Sequence, residues 1–133
     1  MKQILLIDDD AIINYLHSHI LRSKFPTIPI IVFENGLKAL EYLNNNGTFS
    51  YLIFLDINMP IMDGWGFLDA FGAIKTNNDF HIAILTSSIN GSDRDKSSEY
   101  DLIFEFLTKP LKLEDIQKFK NYSFLLPFFN NGA

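Results

Sequence analysis

Five short apolar runs constrain the fold of this chain more than any other feature. Most of them lack the polar–apolar alternation of a strand that is exposed on one face. Strands that are buried on both faces are typical of parallel sheets covered by helices. The runs are ILLI at 4–7, IPIIVF at 28–33, YLIFL at 51–55, IAIL at 82–85 and LIFEFL at 102–107.

The segments between these runs show helical periodicity. Apolar residues recur there at spacings of three or four, which places them on one face of a helix. The fourth segment, 90–101, is long enough for a helix but almost wholly polar. Strands that alternate with helices predict an α/β fold with a doubly wound, five-stranded parallel sheet and five helices. The periodic residues are Ile12, Leu16 and Ile20; Leu37, Leu40 and Leu43; Phe67, Phe71 and Ile74; and Leu113, Ile116 and Phe119.

The composition is that of one folded domain. The 133 residues are too few for two ordinary domains, and 47% of them are hydrophobic, enough for a full core. A net charge of −5 argues against binding to a nucleic-acid backbone. The chain has no cysteine and no apolar run near the roughly 20 residues that a membrane helix needs. We therefore expect a soluble cytoplasmic protein that binds neither nucleic acid nor membrane.

Residues with useful chemistry follow four of the five apolar runs. They are Asp8 and Asp9 after the first run, Asp56 after the third, Thr86 after the fourth and Lys109 after the fifth. All strands of a parallel sheet point the same way, and ligands bind beyond their carboxyl ends. Three carboxylates, a hydroxyl and an ammonium group are therefore predicted at one edge of the sheet.

This set of groups suits phosphoryl transfer. Neighbouring carboxylates repel one another unless a cation lies among them, and carboxylate and carbonyl oxygens are typical ligands of Mg²⁺. Together with Mg²⁺, the Lys109 ammonium and the Thr86 hydroxyl would neutralise a phosphoryl group. A carboxylate is the expected nucleophile, and Asp56 is the best candidate because it stands alone after the central run. The adjacent Asp8 and Asp9 are better suited to holding metal.

The motifs in combination resemble those of the response-regulator receiver domain, the phosphoacceptor module of two-component signalling. LLIDDD is similar to the acidic pair of that family, and LIFLDINMPIMDGWGFL to its phosphoacceptor strand and following loop. AILTS supplies the hydroxyl and FLTKPL the Lys-Pro pair. The resemblance implies a CheY-like, flavodoxin-like (βα)5 fold. It divides the chain into a receiver domain at 1–120 and a Phe-rich C-terminal extension at 121–133.

The resemblance also implies what the acidic residues do. Asp56 would accept a phosphoryl group from a sensor histidine kinase or a histidine phosphotransfer protein. Asp9 and Asp56 would bind Mg²⁺ directly, together with the backbone carbonyl of Asn58, while Asp8 would act mainly through water. Such a module is not an enzyme that turns over separate substrates. Its only expected chemistry is its own slow phosphorylation and dephosphorylation.

A switch follows from the same resemblance. Lys109 would pair with the phosphoryl oxygens, Thr86 would move to bond one of them, and Phe106 would turn inward in response. The family often has Tyr at the position of Phe106, so a hydroxyl is missing here. The Lys109–Pro110 peptide bond is expected to be cis. An unknown downstream protein, or a second copy of the chain, would bind the face formed by the fourth helix, fifth strand and fifth helix.

Several other residues have structural interpretations. Asp10 is expected to cap the first helix, and Asp63 with Gly64 to form a turn. His17 and His19 lie two residues apart on the first predicted helix and cannot share a face. Both are interpreted as surface residues.

The C-terminal extension is apolar, with Phe124, Leu125, Leu126, Phe128 and Phe129 around a proline. Such a segment either folds back onto the domain or exposes a patch, and we favour an interface for a partner or a homodimer. It leaves no room for an effector domain, so a stand-alone regulator is expected. The alternative is a receiver excised from a hybrid kinase.

Four other functions fit the sequence less well. A Mg²⁺-dependent phosphatase of the haloacid-dehalogenase type has a second aspartate two residues after its nucleophile, where this chain has Asn58. A dinucleotide-binding fold needs glycines after the first strand, where this chain has three aspartates. A degenerate, scaffold-only receiver would lack site residues that are all present here. A hydrolase triad built on Ser87 or Ser88 lacks the GxSxG turn.

Overall fold

One five-stranded parallel sheet forms the centre of the computed structural model, which describes residues 1–45, 49–73, 79–87 and 91–129. The strand order is β2-β1-β3-β4-β5, the order of flavodoxin-like folds. The strands are β1 (Lys2–Ile7), β2 (Ile30–Phe33), β3 (Ser50–Asp56), β4 (Asp79–Thr86) and β5 (Ile103–Thr108). The predicted fold class and the five-stranded parallel sheet are confirmed.

Six helices and one 3₁₀ turn are present among the described residues. The helices are α1 (Ala11–Lys24), α2 (Gly36–Asn45), α3 (Gly64–Phe71), α4 (Gly91–Ser97), α5 (Leu113–Phe119) and α6 (Leu126–Phe129). The turn spans Ser123–Leu125. The prediction of five helices misses α6, a single helical turn in the C-terminal extension. Within the part of the chain described here, no helix has the length and hydrophobicity needed to span a bilayer.

The sheet separates two hydrophobic cores. Alternate residues of the central strand β3 enter opposite cores, with Ile53 and Leu55 on the side of α2 and α3. Leu52 and Phe54 lie on the other side, against α1 and α5. All of these side chains are fully buried, which explains why the run shows no polar–apolar alternation. Because the sheet is packed on both faces, it holds its strand ends rigidly.

The predicted inner face of α1 is wrong for two of its three residues, whereas the third, Ile20, packs against the core on the α1 and α5 side. Ile12 and Leu16, expected to face the core, are 73% and 46% exposed. The buried residues of α1 are Asn14, His17, Ser18 and Leu21. The N-terminal part of α1 packs beside the polar strand ends rather than against the apolar core. Polar side chains therefore occupy its inner face, where they bind backbone groups of the neighbouring loops.

The other helical periodicities agree better with the structure. In each case two of the three apolar residues are buried: Leu40 and Leu43 in α2, Phe67 and Phe71 in α3, and Ile116 and Phe119 in α5. Leu37 and Leu113 are about half exposed, whereas Ile74 lies outside the described residues. The predicted polar helix is confirmed as α4, which has no buried residue.

The C-terminal extension folds back onto the domain. Leu125 and Phe128 are buried in the core on the α1 and α5 side, and the rings of Phe129 and Phe25 lie 4.8 Å apart. Tyr122 donates a hydrogen bond of 2.9 Å to Glu105 on β5. The prediction that the apolar extension forms an exposed interface is therefore wrong for these residues. Burying them removes more apolar surface from water than leaving them exposed.

Candidate functional site

Three carboxylates converge at the carboxyl edge of the sheet. Asp56 is the last residue of β3, while Asp8 and Asp9 directly follow its neighbour β1. Each residue offers a carboxylate oxygen within 4.8 Å of the others. Asp8 and Asp56 are only 5% and 4% exposed, whereas Asp9 is exposed. Their proximity follows from the parallel pairing of β1 with β3, which aligns the two strand ends.

Lys109 contacts two of these carboxylates, those of Asp8 and Asp56, from the far side of β4. Its Nζ lies 2.6 Å from Asp8 Oδ2 and 3.4 Å from Asp56 Oδ1. The residue follows β5, and its backbone N–H donates a hydrogen bond of 2.7 Å to the carbonyl of Thr86 at the end of β4. The Lys109–Pro110 peptide bond is cis. The structure thus brings Asp8, Asp56 and Lys109 together, although they come from three separate segments.

Two local features fix the acidic loops. Asp10 caps α1, because its Oδ1 accepts hydrogen bonds from the N–H groups of Ile12 and Ile13, as predicted. The backbone N–H of Asp10 in turn donates to Asp8 Oδ1 at 2.9 Å. On the other loop, Gly64 begins α3 in tight contact with the end of β3. A Cβ at Gly64 would lie 2.7 Å from the carbonyl oxygen of Asp56, so only glycine fits there.

The electrostatics of the site are those of an excess of negative charge. Burial and then repulsion by Asp8 raise the pKa of Asp56 to about 6, although Lys109 opposes the rise. Burial lowers the pKa of Lys109, but its hydrogen bonds and attraction to Asp8 and Asp56 outweigh burial and raise it overall. The ammonium group therefore stays charged, and the three carboxylates, when ionised, exceed it by two negative charges.

Thr86 and Phe106 lie on the same face of neighbouring strands. Ile84 pairs with Phe106 and Thr86 with Thr108, so Thr86 and Phe106 are diagonal neighbours. Thr86 is fully buried, whereas Phe106 is half-buried and packs against the core on the α2 and α3 side. The guanidinium of Arg94 in α4 lies 5.4 Å from the centre of the Phe106 ring.

A pocket of about 500 Å³ opens beside the carboxylates. Ile13 and Leu16 of α1 form one side of it, and the other lining residues are Asp8, Asp9, Asp10, Asp56, Asn58, Ser87, Lys109 and Pro110. The backbone N–H of Asn58 lies 3.4 Å from Asp56 Oδ1. Ser88 lies outside the described residues. The pocket has room for a phosphoryl group, and its rim on α1 is apolar.

Comparison with known proteins identifies the family. A family model for the response regulator receiver domain matches residues 4–120. The chain belongs to the response regulator receiver family. The receiver is 30% identical to the response regulator Rcp1 of Synechocystis sp., over 88% of this chain and 82% of that protein. A crystal structure of a two-component response regulator from Cytophaga hutchinsonii superposes with a TM-score of 0.77. It shares 28% identity, over 91% of this chain and 95% of that one.

Some relatives of this receiver are much longer proteins. The sensor histidine kinase CheAY of Helicobacter pylori is 30% identical over 80% of the present chain, which spans only 13% of that kinase. Receivers thus occur in this family both as nearly whole proteins and as parts of kinases.

Three residues near the site of this receiver were not predicted from the sequence. His17 is 1% exposed, so its interpretation as a surface residue is wrong, whereas His19 is exposed. Asn14 is also buried and donates a hydrogen bond of 2.8 Å to the carbonyl of Asp8. Ile61 has a φ of 71° in the loop after β3, a conformation that is strained for a β-branched residue. None of these features leaves a signal in the sequence, because each depends on a contact or on a backbone angle.

The raised pKa of Asp56 predicts a pH dependence of the stability of this receiver without divalent cations. The folded state binds the proton of this carboxyl more tightly than the unfolded state, whose pKa is near 3.8. The resulting stabilisation is present below about pH 4 and is lost as pH rises through about 6. The asparagine of Asp56→Asn does not titrate, so only the wild type loses this stabilisation. The unfolding free energy of Asp56→Asn relative to wild type should therefore rise by about 2 kcal/mol between pH 4.5 and 7.5.

Urea unfolding of both proteins at these two pH values measures this difference. Asp63→Asn is the matched control, because Asp63 is an exposed cap of α3 outside the site. A difference between Asp56→Asn and wild type that does not change with pH would contradict the raised pKa.

Proposed function

We propose that this receiver is a phosphorylation-controlled binding module that accepts a phosphoryl group on Asp56. The donor is a sensor histidine kinase or a histidine phosphotransfer protein. The observation that carries the proposal is the cluster of three carboxylates within 4.8 Å, two of which lie within 3.4 Å of the Lys109 ammonium. Membership of the receiver family supports the same function.

The chemistry is a transfer from a phosphohistidine nitrogen to a carboxylate oxygen. An Oδ of ionised Asp56 attacks the phosphorus while the P–N bond breaks, and the bonding electron pair stays on the imidazole of the donor. Lys109 holds positive charge beside the incoming phosphoryl oxygens. Because β3 is buried on both faces, Asp56 is held in place before the donor arrives.

The donor set at the sheet edge fits Mg²⁺. Asp8, Asp9 and Asp56 supply hard oxygen atoms. Burial and then repulsion by Asp8 raise the pKa of Asp56 to about 6, so a cation bound there would favour its charged form. We assign direct binding to Asp9, Asp56 and the carbonyl of Asn58, and binding through water to Asp8. When bound, the ion supplies charge that neutralises both the carboxylates and the phosphoryl oxygens.

Thr86 and Phe106 form the proposed switch. A phosphoryl group on Asp56 adds negative charge and acceptor oxygens, to which the Thr86 hydroxyl would donate. Movement of Thr86 frees space for its diagonal neighbour Phe106 to turn inward. The contact between Arg94 and Phe106 would then break, which changes the surface formed by α4, β5 and α5. A downstream protein or a second copy of the chain would recognise that surface.

The exposed face of α1 is the proposed docking surface for the phosphodonor. Ile12, Tyr15 and Leu16 are 73%, 66% and 46% exposed, and Leu16 also lines the pocket beside Asp56. Exposed apolar side chains at the mouth of a charged site favour binding of a partner. A histidine side chain presented by that partner would enter the pocket past this rim.

The biological context follows from the same proposal. We infer a cytoplasmic signalling protein without turnover of outside substrates, either a stand-alone regulator or the receiver of a hybrid kinase. The kinase CheAY, which contains a related segment, supports the second arrangement. The phosphatase alternative receives no support, since Asn58 stands where that chemistry needs an acid.

Incubation with acetyl phosphate, with and without Mg²⁺, tests the proposal by intact-mass spectrometry. We expect a single phosphoryl adduct that requires Mg²⁺. A folded protein that gains no adduct at saturating Mg²⁺ would contradict the phosphoacceptor function, and continuous release of inorganic phosphate at enzymatic rates would favour a phosphatase.

A further inference from the structure

The inner face of α1 carries a histidine that contacts the loop after β5. His17 is 1% exposed, and its Nε2 accepts a hydrogen bond of 3.0 Å from the backbone N–H of Leu111. The two residues are 94 positions apart in the chain. Leu111 is itself buried and lies two residues after Lys109. The contact therefore joins α1 to the loop that carries the ammonium group of the site.

The loop from Lys109 to Leu111 has two backbone N–H groups, since proline has none. The N–H of Lys109 donates to the carbonyl of Thr86 at 2.7 Å, and that of Leu111 donates to His17. One anchor thus lies on β4 and the other on α1. Both backbone N–H groups of the loop are therefore hydrogen-bonded to neighbouring elements. The first of them belongs to Lys109 itself, the residue that carries the ammonium group.

We propose that His17 is a positioning residue for Lys109 in phosphoryl transfer, acting through the backbone of Leu111. The inference rests on the proposed phosphoacceptor function and adds a residue to it. His17 touches neither phosphoryl group nor metal in this assignment. Its role is to hold the loop so that the Lys109 ammonium remains within reach of Asp8 and Asp56.

The chemistry of imidazole suits this role. To accept from Leu111, Nε2 must be unprotonated, so the neutral ring carries its proton on Nδ1. Burial is the main reason that the pKa of His17 is lowered, with Lys109 acting in the same direction and Asp8 and Asp10 opposing it. The ring therefore stays neutral at neutral pH. An apolar side chain at this position would leave a buried N–H without an acceptor.

Three variants separate a positioning role from a general contribution to folding. His17→Leu removes the acceptor, whereas His17→Gln places an amide oxygen near the position of Nε2. His19→Leu is the matched control, because His19 lies on the same helix but is exposed and stacks on Tyr15. Acetyl phosphate serves as the donor, so that docking of a kinase to α1 plays no part.

The rate of adduct formation at saturating Mg²⁺ is the first measurement. We expect His17→Leu to slow phosphorylation by about 10-fold, His17→Gln to restore most of the rate, and His19→Leu to match wild type. Equal rates for His17→Leu and wild type would overturn the inference alone, as would a His17→Gln variant as slow as His17→Leu. No adduct in the wild type would overturn the proposed function and, with it, this role of His17.

Nuclear magnetic resonance of the wild type tests the contact even if the variants fail to fold. Nitrogen chemical shifts of the ring should show His17 in the Nδ1–H form at pH 7, with a protected Leu111 amide. In His17→Leu that amide should exchange faster with solvent, and in His17→Gln it should regain protection. An Nε2–H ring, or a Leu111 amide that exchanges rapidly in the wild type, would overturn the inference.

Discussion

Replacement of Asp56 by asparagine should abolish phosphorylation by acetyl phosphate. The amide has nearly the same shape as the carboxylate, so the packing of β3 is preserved, but it lacks the ionised oxygen that attacks phosphorus. We expect no adduct in the intact mass under conditions where the wild type is fully phosphorylated. Because the substitution removes a buried acid whose pKa is raised to about 6, the variant should also be folded and stable at neutral pH.

A second aspartate provides the control for this result. Asp63→Asn changes an exposed acid that caps α3 through Gly66, and asparagine caps helices about as well. This variant should gain the adduct at the wild-type rate. An adduct on Asp56→Asn of the same size and rate as on wild type would place the phosphoacceptor elsewhere.

Replacement of Lys109 by methionine should have the second-largest effect. Methionine keeps most of the apolar stem but removes the ammonium that lies 2.6 Å from Asp8 and 3.4 Å from Asp56. We expect phosphorylation to slow by about 100-fold, as when one charge-stabilising donor is lost from an active site. Without Mg²⁺, the two buried carboxylates would then repel each other, which should lower the unfolding free energy by about 3 kcal/mol.

Rates of adduct formation and urea unfolding test this prediction. Lys112→Met is the matched control, because Lys112 is an exposed lysine three residues further along the chain. That variant should behave like wild type in both measurements. A Lys109→Met protein that is phosphorylated at the wild-type rate would show that the ammonium has no part in the transfer.

The strands and their polar ends were predictable because parallel strands leave a strong sequence signal. A run such as Leu52–Leu55 is apolar at every position because both of its faces are buried. Once the strands are parallel, topology alone brings their ends to one edge. The acid at the end of β3 and the lysine after β5 could therefore be placed in one site from the sequence.

The face of α1 could not be predicted in the same way. Periodicity assumes that the inner face of a helix is apolar, whereas this helix packs its first turns beside a charged site. Asn14 and His17 are buried there because backbone groups of Asp8 and Leu111 need hydrogen-bond partners. Ile12 and Leu16 are left exposed, and Leu16 lines the pocket beside Asp56. The partner of His17 lies 94 residues away, beyond any local pattern.

The extension was mispredicted for a related reason. Its apolar residues fit an interface as well as a core, and the sequence does not show which surface is available to cover them. The structure supplies one, formed by Phe25 at the end of α1 together with Phe104 and Phe119. Leu125 and Phe128 are buried in the same core as these rings, while Phe124 and Leu126 remain about two-fifths exposed.

Chemical trapping of the phosphorylated residue tests the central claim most directly. Borohydride reduces an acyl phosphate on aspartate to homoserine, which marks the modified position in a peptide map. After treatment with acetyl phosphate and Mg²⁺, homoserine should appear at residue 56 and at no other aspartate. Homoserine at Asp8 or Asp9 instead, with residue 56 unmodified, would contradict the assignment of Asp56 as the phosphoacceptor.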